Sequence, residues 1–311
     1  MDAWVNPPKF NFDHDVTITP NAQAPDADKL AIATMIMTSG TPVTDQIIDA
    51  APNLQMVHCN GTGTDHVSHA ALKKRGIKLC HVPAQNTASV SEHAFALYYA
   101  LRRKIIEMHE LVMDGKSWPE LRSVHVKFGP PTRTNGEETL VCCIIGYGAL
   151  GRNIEKIGTA LGMKVIVAER KGASEARPGR VLFEDALRQA TVLIVVAPLD
   201  NSTRGMIGAA ELSTINPTAF VINVGRGGIV NEAALATALR EKKIAGAGID
   251  VFEHEPAGAG DSPLIDSTIP NLILTPHIAW YSTATLDGTT KTIKSNFEAF
   301  AAGNPQNLVQ L

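Results

Sequence analysis

Three residues of complementary chemistry, Arg226, Glu255 and His277, each follow the end of an apolar run in the second half of the chain. The runs read AFVINVGRGG, IAGAGIDVFEHEP and NLILTPHIAW. At successive strand ends the three side chains can converge on the carboxyl edge of one parallel sheet, where open α/β sheets bind ligands. Removing a hydride from an alcohol requires loss of the hydroxyl proton, and imidazole suits that task because its ordinary pKa lies near neutrality. A carboxylate on the second ring nitrogen fixes the tautomer and stabilises the imidazolium. A guanidinium fork holds a substrate carboxylate through two parallel N–H···O bonds. The set suits hydride exchange with a small 2-hydroxy or 2-oxo acid.

Each residue alone has an ordinary reading: a surface turn arginine, a loop carboxylate, a satisfied core histidine. Their combination at three strand ends carries the argument. His254 is discounted because adjacent residues in an extended segment point opposite ways. His66, His69 and His93 lie on predicted helices or in their first turns and read as structural.

Upstream, IIGYGALG places Gly146, Gly148 and Gly151 directly after the strand-like VCCII and at the start of a helix. That context suits a dinucleotide: a tight turn at Gly146, close backbone approach at Gly148, close packing at Gly151 and helix N–H groups aimed at phosphate. The next strand ends in Glu169, about 20 residues on, where an acidic residue takes the adenosine ribose hydroxyls. Glu169 at the strand end faces the cleft in this reading and favours NAD. Arg170 and Lys171 follow at once and leave NADP possible.

The elements that must position these residues alternate between strand and helix. Strands are predicted at 31–37, 55–59 and 77–81. Helices are predicted at 42–50, with Thr44 and Asp45 as cap, and from 66 to Gly76. A long helix runs from Ser89 to about Asp114, apolar nearly all round in its first part. Residues 116–138 hold Pro and Gly without a period and read as an extended arm or loop. Leu140 opens a second series, with strands at 140–145, 164–168, 191–196, 219–224, 244–250 and 272–275. The helices of this half include one from the glycine turn to about Leu161 and one over 232–241. A last helix is predicted over 285–302. This is an α/β chain with parallel sheets. The division falls at the long helix: 1–88 with 285–311 form a discontinuous substrate domain, and 89–284 the cofactor domain.

The chain has 311 residues, 44% hydrophobic and 19% charged, and a formal net charge of −3. That length suits two domains, and the charge gives no footprint for nucleic acid or a membrane surface. No apolar run approaches the roughly 18 residues of a membrane span. The first residues lack the basic and apolar regions of a secretory signal, so a cytoplasmic protein is expected. Cys59, Cys80, Cys142 and Cys143 have no CxxC spacing and read as reduced core thiols, so no metal is expected.

GTGTDHV, SVSEHAFAL, IIGYGALGR, APLDNSTRGMIG, INVGRGGIVNE, GIDVFEHEP and TPHIAW, in this order and spacing, resemble the D-isomer-specific 2-hydroxyacid dehydrogenases, especially their glycerate dehydrogenase and hydroxypyruvate reductase branch. The resemblance runs from about Ala31 to the C-terminus. It implies two Rossmann-like domains, the cofactor domain inserted into a smaller flavodoxin-like substrate domain with a shortened N-terminus near Val16. It implies Arg226 as carboxylate anchor, His277 as acid/base and Glu255 as its partner. Asp250, Val224, Gly225 and Val90 would meet the nicotinamide end; Ala149, Leu150 and Arg152 the pyrophosphate; Pro198 and Thr203 the adenosine side. Backbone at Thr62 and Gly63 would hold the substrate carboxylate. A homodimer joined through the cofactor domains, with the 116–138 arm reaching across, is also implied. Ser68 and Asn231 stand where aspartate is common. A dinucleotide-sensing regulator or scaffold on the same fold is the competing class, and it has less need of Arg226 and His277.

Overall fold

The computed structural model describes residues 7–19, 25–128 and 141–311. The chain divides into two compact units, Met1–Asn86 with Tyr281–Leu311, and Thr87–Trp280. The first contains α1 (Ala27–Ile32), β1 (Met35–Thr38), α2 (Asp45–Asp49), β2 (Met56–Cys59), α3 (His69–Arg75) and β3 (Lys78–Cys80). The second opens with α4 (Thr87–Arg102), α5 (Ile105–Met113), α6 (Ser117–Leu121) and α7 (His125–Phe128). It continues with β4 (Val141–Ile145), α8 (Ala149–Ala160), β5 (Lys164–Val167), α9 (Phe183–Gln189), β6 (Val192–Val195) and α10 (Ala209–Thr214). It ends with β7 (Phe220–Asn223), α11 (Glu232–Arg240), β8 (Gly246–Ile249) and β9 (Leu272–Leu274). The chain then returns to the first unit through α12 (Thr283–Ala301).

In the first unit the strands pair in parallel in the order β1-β2-β3, and the C-terminal tail adds an antiparallel bridge from Leu308 to Cys80. Side chains alternate across this sheet, as the pleat requires. Val57, Cys59 and Leu79 pack with Ile48 of α2 and Leu72 of α3, whereas Met56 and Cys80 pack with Ile293 and Phe297 of α12. Local signals set the ends of two helices. Thr44 caps α2 through the Ile47 N–H, and Gly76 closes α3 in the left-handed conformation at φ +68. Burial pushes the Cys59 thiol up to about 12 and the Cys80 thiol up to about 11, so both stay protonated.

The second unit is a six-stranded parallel sheet in the order β5-β4-β6-β7-β8-β9. A parallel bridge from Ala168 to Val181 extends its β5 edge. One face packs under α9, α10 and α11 through Leu193, Val195, Val221 and Ile249; the other packs under α4 and α8 through Ile144, Ile194 and Ile222. Strand order reverses between β4 and β6, so ligands are expected beyond the carboxyl ends of the strands.

Three sequence expectations change. Ala31 and Ile32, read as the start of a strand, close α1, which begins at the Asp26 cap, and the strand starts at Met35. The long helix is broken at Lys104, which adopts a left-handed conformation at φ +50. Its ammonium bonds the Phe128 carbonyl at 3.1 Å and lies 5.8 Å from the Phe128 ring centre, a tertiary contact invisible to periodicity. Within 116–128 the expected arm forms α6 and α7, and its remainder lies outside the described residues.

A buried polar knot ties α12 to the small sheet. His58 is fully buried, with Nδ1 3.2 Å from Asn60 Oδ1 and Nε2 3.0 Å from Asn296 Nδ2. A neutral ring satisfies both: Nδ1–H donates to Asn60, and Nε2 accepts from Asn296. Burial is the main cause that lowers the His58 pKa from 6.5 to about 4. A histidine depressed on folding stabilises fully above its unfolded pKa and loses that contribution as pH falls through the folded value. Stability should therefore drop by about 3 kcal/mol between pH 6.5 and 4 on this account. Urea unfolding across that range should show the slope in the native chain and a reduced slope in His58→Gln. An equal slope in the variant would remove the assignment.

Candidate active site

The adjacency of β7, β8 and β9 decides where Arg226, Glu255 and His277 lie. These strands are parallel neighbours, so their carboxyl ends share one edge. Arg226, Glu255 and His277 each sit in the segment leaving one of them. Asn223 shapes the first turn. Its amide donates to the Arg226 carbonyl at 3.0 Å and its carbonyl accepts the Gly225 N–H at 3.1 Å. Gly227 lets this turn meet the β8 segment, because a Cβ there would lie 1.8 Å from the Phe252 carbonyl oxygen. Arg226 is half-buried, with Nη1 donating to the Gly225 carbonyl.

Glu255 is held by its own loop and by the histidine. Oε1 accepts the Phe252 N–H at 2.8 Å, and Oε2 lies 2.6 Å from His277 Nδ1. Burial pushes the Glu255 carboxyl up, but the His277 bond, the Phe252 N–H and the nearby Arg226 charge outweigh it and hold the group below its ordinary value. The carboxylate is thus ionised at neutral pH and accepts from Nδ1–H, which fixes the tautomer of the ring. Glu232, buried at the start of α11, supports this loop by accepting the Glu253 N–H at 2.7 Å and bonding Ser262.

His277 has φ +51, a conformation that costs a non-glycine residue about 1–2 kcal/mol. Asp250 is what holds it there. The Asp250 carbonyl accepts the His277 N–H at 2.7 Å. Its carboxylate accepts the N–H groups of Ile278 at 3.0 Å and Ala279 at 3.1 Å, and the Thr275 hydroxyl at 2.6 Å. The indole of Trp280 closes the turn by donating to the His277 carbonyl at 2.8 Å. Asp250 is 1% exposed, and His93, read from sequence as merely structural, lies 3.6 Å from its Oδ1 and 3.0 Å from Thr275 Oγ1.

At the dinucleotide end, Gly146 has φ +98 and a Cβ there would lie 2.6 Å from the Ala197 nitrogen, so the turn admits only glycine. A Cβ on Gly151 would meet the Gly146 carbonyl oxygen at 2.3 Å, whereas the space around Gly148 is open. Gly148 caps α8 with no side chain, which leaves the first turn at Ala149 and Leu150 to an anion. Arg152 is exposed beside it, and the Thr203 hydroxyl donates to the Pro198 carbonyl at 2.7 Å. Val224 and Val90 are buried within the unit's core. These residues fit a dinucleotide.

Glu169 differs from its sequence reading. Its side chain is 4% exposed and lies beneath Arg177, whose Nε and Nη2 donate to it at 2.7 and 2.6 Å. The N–H groups of Arg170 and Arg177 add bonds of 2.8 and 3.1 Å. Arg177 went unnoticed in the sequence because nothing local marks it as a partner.

In the first unit the loop after β2 is pinned at Thr62. Its hydroxyl donates to the Val82 carbonyl at 3.0 Å, and its carbonyl lies 2.9 Å from His81 Nδ1. Among the described residues no group of three or more His, Cys, Asp or Glu could hold a metal ion, and no helix is long and apolar enough to cross a membrane.

Residues 95–279 match the model of the D-isomer specific 2-hydroxyacid dehydrogenase NAD binding domain. Glycerate dehydrogenase from Methylorubrum extorquens is 36% identical over 100% of this chain and 96% of that protein. This chain belongs to the D-isomer-specific 2-hydroxyacid dehydrogenase family. An NADPH-dependent glyoxylate/hydroxypyruvate reductase from Sinorhizobium meliloti matches with a TM-score of 0.77 and 29% identity, covering 91% of this chain and 86% of that one. A D-lactate dehydrogenase from Aquifex aeolicus in complex with NAD and lactic acid matches with a TM-score of 0.78 and 25% identity, over 93% and 90%. As a 2-hydroxyacid dehydrogenase the chain is an NAD(P)-dependent oxidoreductase that exchanges a hydride with a 2-hydroxy or 2-oxo acid.

Replacing Asp250 by Ala would take the acceptor from the Ile278 and Ala279 N–H groups and the Thr275 hydroxyl, and a buried group left unpaired, as at Ala279, costs about 1–3 kcal/mol. Asp250→Ala should lose stability on that scale in urea unfolding and lose kcat as well, because His277 is no longer held. Native kcat and unaltered stability together would refute this role.

Proposed function

We propose that this enzyme reduces small 2-oxo acids of the hydroxypyruvate or glyoxylate type to their D-2-hydroxy acids, in the cytoplasm and as a homodimer. The observation that carries the chemistry is the 2.6 Å His277–Glu255 pair beside Arg226 at neighbouring strand ends. The relatedness to a glycerate dehydrogenase supports the substrate class. A regulator or scaffold would have no use for an oriented imidazole–carboxylate pair.

Arg226 holds the substrate carboxylate through its fork and polarises the adjacent carbonyl. Thr62 and Gly63 hold the same carboxylate through backbone N–H groups, as the family resemblance implies. The bound nicotinamide supplies the hydride in reduction and accepts it in oxidation. His277 gives its Nε2 proton to the oxygen of the reduced carbon, and takes it back in the reverse direction. Glu255 stabilises the imidazolium that precedes the transfer. The glycine turn and the first turn of α8 would hold the pyrophosphate, Glu169 would lie at the adenosine ribose, and Val224, Gly225, Asp250 and Val90 would meet the nicotinamide end. Residues Thr87–Trp280 serve as the cofactor domain and the remainder as the substrate domain.

Exposed apolar side chains on α5 and α6, among them Ile105, Val112, Met113, Trp118 and Leu121, support a homodimer joined through this half of the chain. Sedimentation at micromolar concentration should give a mass of two chains; a monomer would dismiss the assembly.

His277→Ala should lower kcat by about 10²–10⁴-fold while cofactor binding persists, since only acid–base assistance is lost. Arg226→Lys keeps the charge but loses the fork, worth about 1.5–3 kcal/mol, and kcat/KM for hydroxypyruvate should fall accordingly. Steady-state NADH oxidation with hydroxypyruvate and glyoxylate, alongside calorimetric cofactor titration, measures both. Near-native kcat in His277→Ala would move the proton carrier elsewhere.

A further inference from the structure

The adenosine end of the dinucleotide site is built differently from what a carboxylate at a strand end suggests. An ionised carboxylate has about four acceptor positions. Glu169 receives four N–H donors: Arg177 Nε and Nη2, and the backbone N–H groups of Arg170 and Arg177. A ribose hydroxyl must displace one of them to bond it. The Arg177 bond is the largest of the causes that hold Glu169 far below the ordinary carboxylate range, so the pair is charged on both sides at any physiological pH.

Exposure decides which charge a ligand meets. The Glu169 side chain is 4% exposed, and the Arg177 side chain above it is 54% exposed. The surface at this strand end is therefore guanidinium rather than carboxylate. Neighbouring charges point the same way. Residues 169–181 contain Arg170, Lys171, Arg177 and Arg180 against Glu169 and Glu175. Lys171 is paired with Glu211 on α10 at 2.7 Å. Arg180 donates to the Ala168 carbonyl at 3.3 Å and lies 5.5 Å from the ring centre of Tyr147, a residue of the glycine turn itself. The loop that carries Arg177 is thereby docked against the dinucleotide turn.

We propose that Arg177 sets cofactor choice: by covering and neutralising Glu169 it removes the repulsion of a 2′-phosphate, and the enzyme uses NADPH as well as NADH. The inference rests on the reading of residues 146–169 as the nucleotide site. A bare carboxylate would discriminate against a 2′-phosphate by direct charge repulsion. Here the nearest exposed charge is positive, and a guanidinium fork suits a phosphate. Arg177 acts on selectivity in two ways, by silencing Glu169 and by offering its outer N–H groups to the phosphate.

Calorimetric titration of the enzyme with NADH, NADPH, 5′-AMP and adenosine 2′,5′-bisphosphate tests this without turnover. The native enzyme should bind NADH and NADPH within about tenfold of each other. Arg177→Ala exposes Glu169 and should shift the Kd ratio toward NADH by roughly ten- to a hundredfold, with the same shift between the two adenosine fragments. In Arg177→Ala/Glu169→Gln both charges are gone, so the ratio should return most of the way even if the single variant folds poorly. A native enzyme that binds NADH alone, or a ratio unmoved in Arg177→Ala, would overturn the proposal. If the native enzyme bound neither dinucleotide nor either fragment, the nucleotide-site reading itself would fall, and the proposal with it.

Discussion

The carboxylate of Asp250 is the interaction on which the reacting edge depends. It sits buried at the end of β8 and gathers the Ile278 and Ala279 N–H groups and the Thr275 hydroxyl, while its own carbonyl takes the His277 N–H. Those bonds hold the segment after β9 in a reversal that places His277 at positive φ. A left-handed histidine persists only where its surroundings over-determine it, and here four bonds from one residue do so. The family resemblance places Asp250 at the nicotinamide; the bonds show it also as the post that holds the segment carrying His277.

A second layer of support is acidic as well. Glu232 at the start of α11 holds the loop that carries Glu255, through Glu253 and Ser262. Asn231 beside it caps α11 by accepting the Ala234 N–H at 2.8 Å, which accounts for its tolerance as a departure from aspartate. Two buried carboxylates thus serve as scaffolding on either side of the one that touches His277. The cost of burying each charge is offset by the N–H and hydroxyl donors it collects.

Strand order explains how residues so far apart in sequence come to one edge. Parallel pairing of β7, β8 and β9 in immediate succession brings three loop starts to one edge, each separated by a helix or a long connection. The same sheet places the glycine turn at the point where strand order reverses.

Much of this was legible in the chain because the signals are local. Continuous apolar runs marked the strands of the second unit to within two residues, Thr44 and Gly76 marked helix ends, and Gly146 and Gly151 announced a turn too tight for any side chain. Arg226, Glu255 and His277 could be named because strand ends in a parallel sheet share an edge whatever the details. Other features depended on partners distant in sequence. The break at Lys104 coincides with a contact of its ammonium to Phe128, and His93 meets Asp250 and Thr275, more than 150 positions away. Glu169 is the plainest case. Its place at the strand end follows from the pattern of apolar residues, but whether it presents a negative charge depends on a loop that folds back to lay Arg177 across it. Residue type and spacing therefore determined the class of chemistry and the candidate residues for it. Their charge state, conformation and exposure were decided by tertiary structure, because burial and hydrogen bonding are properties of the surroundings and not of the residue.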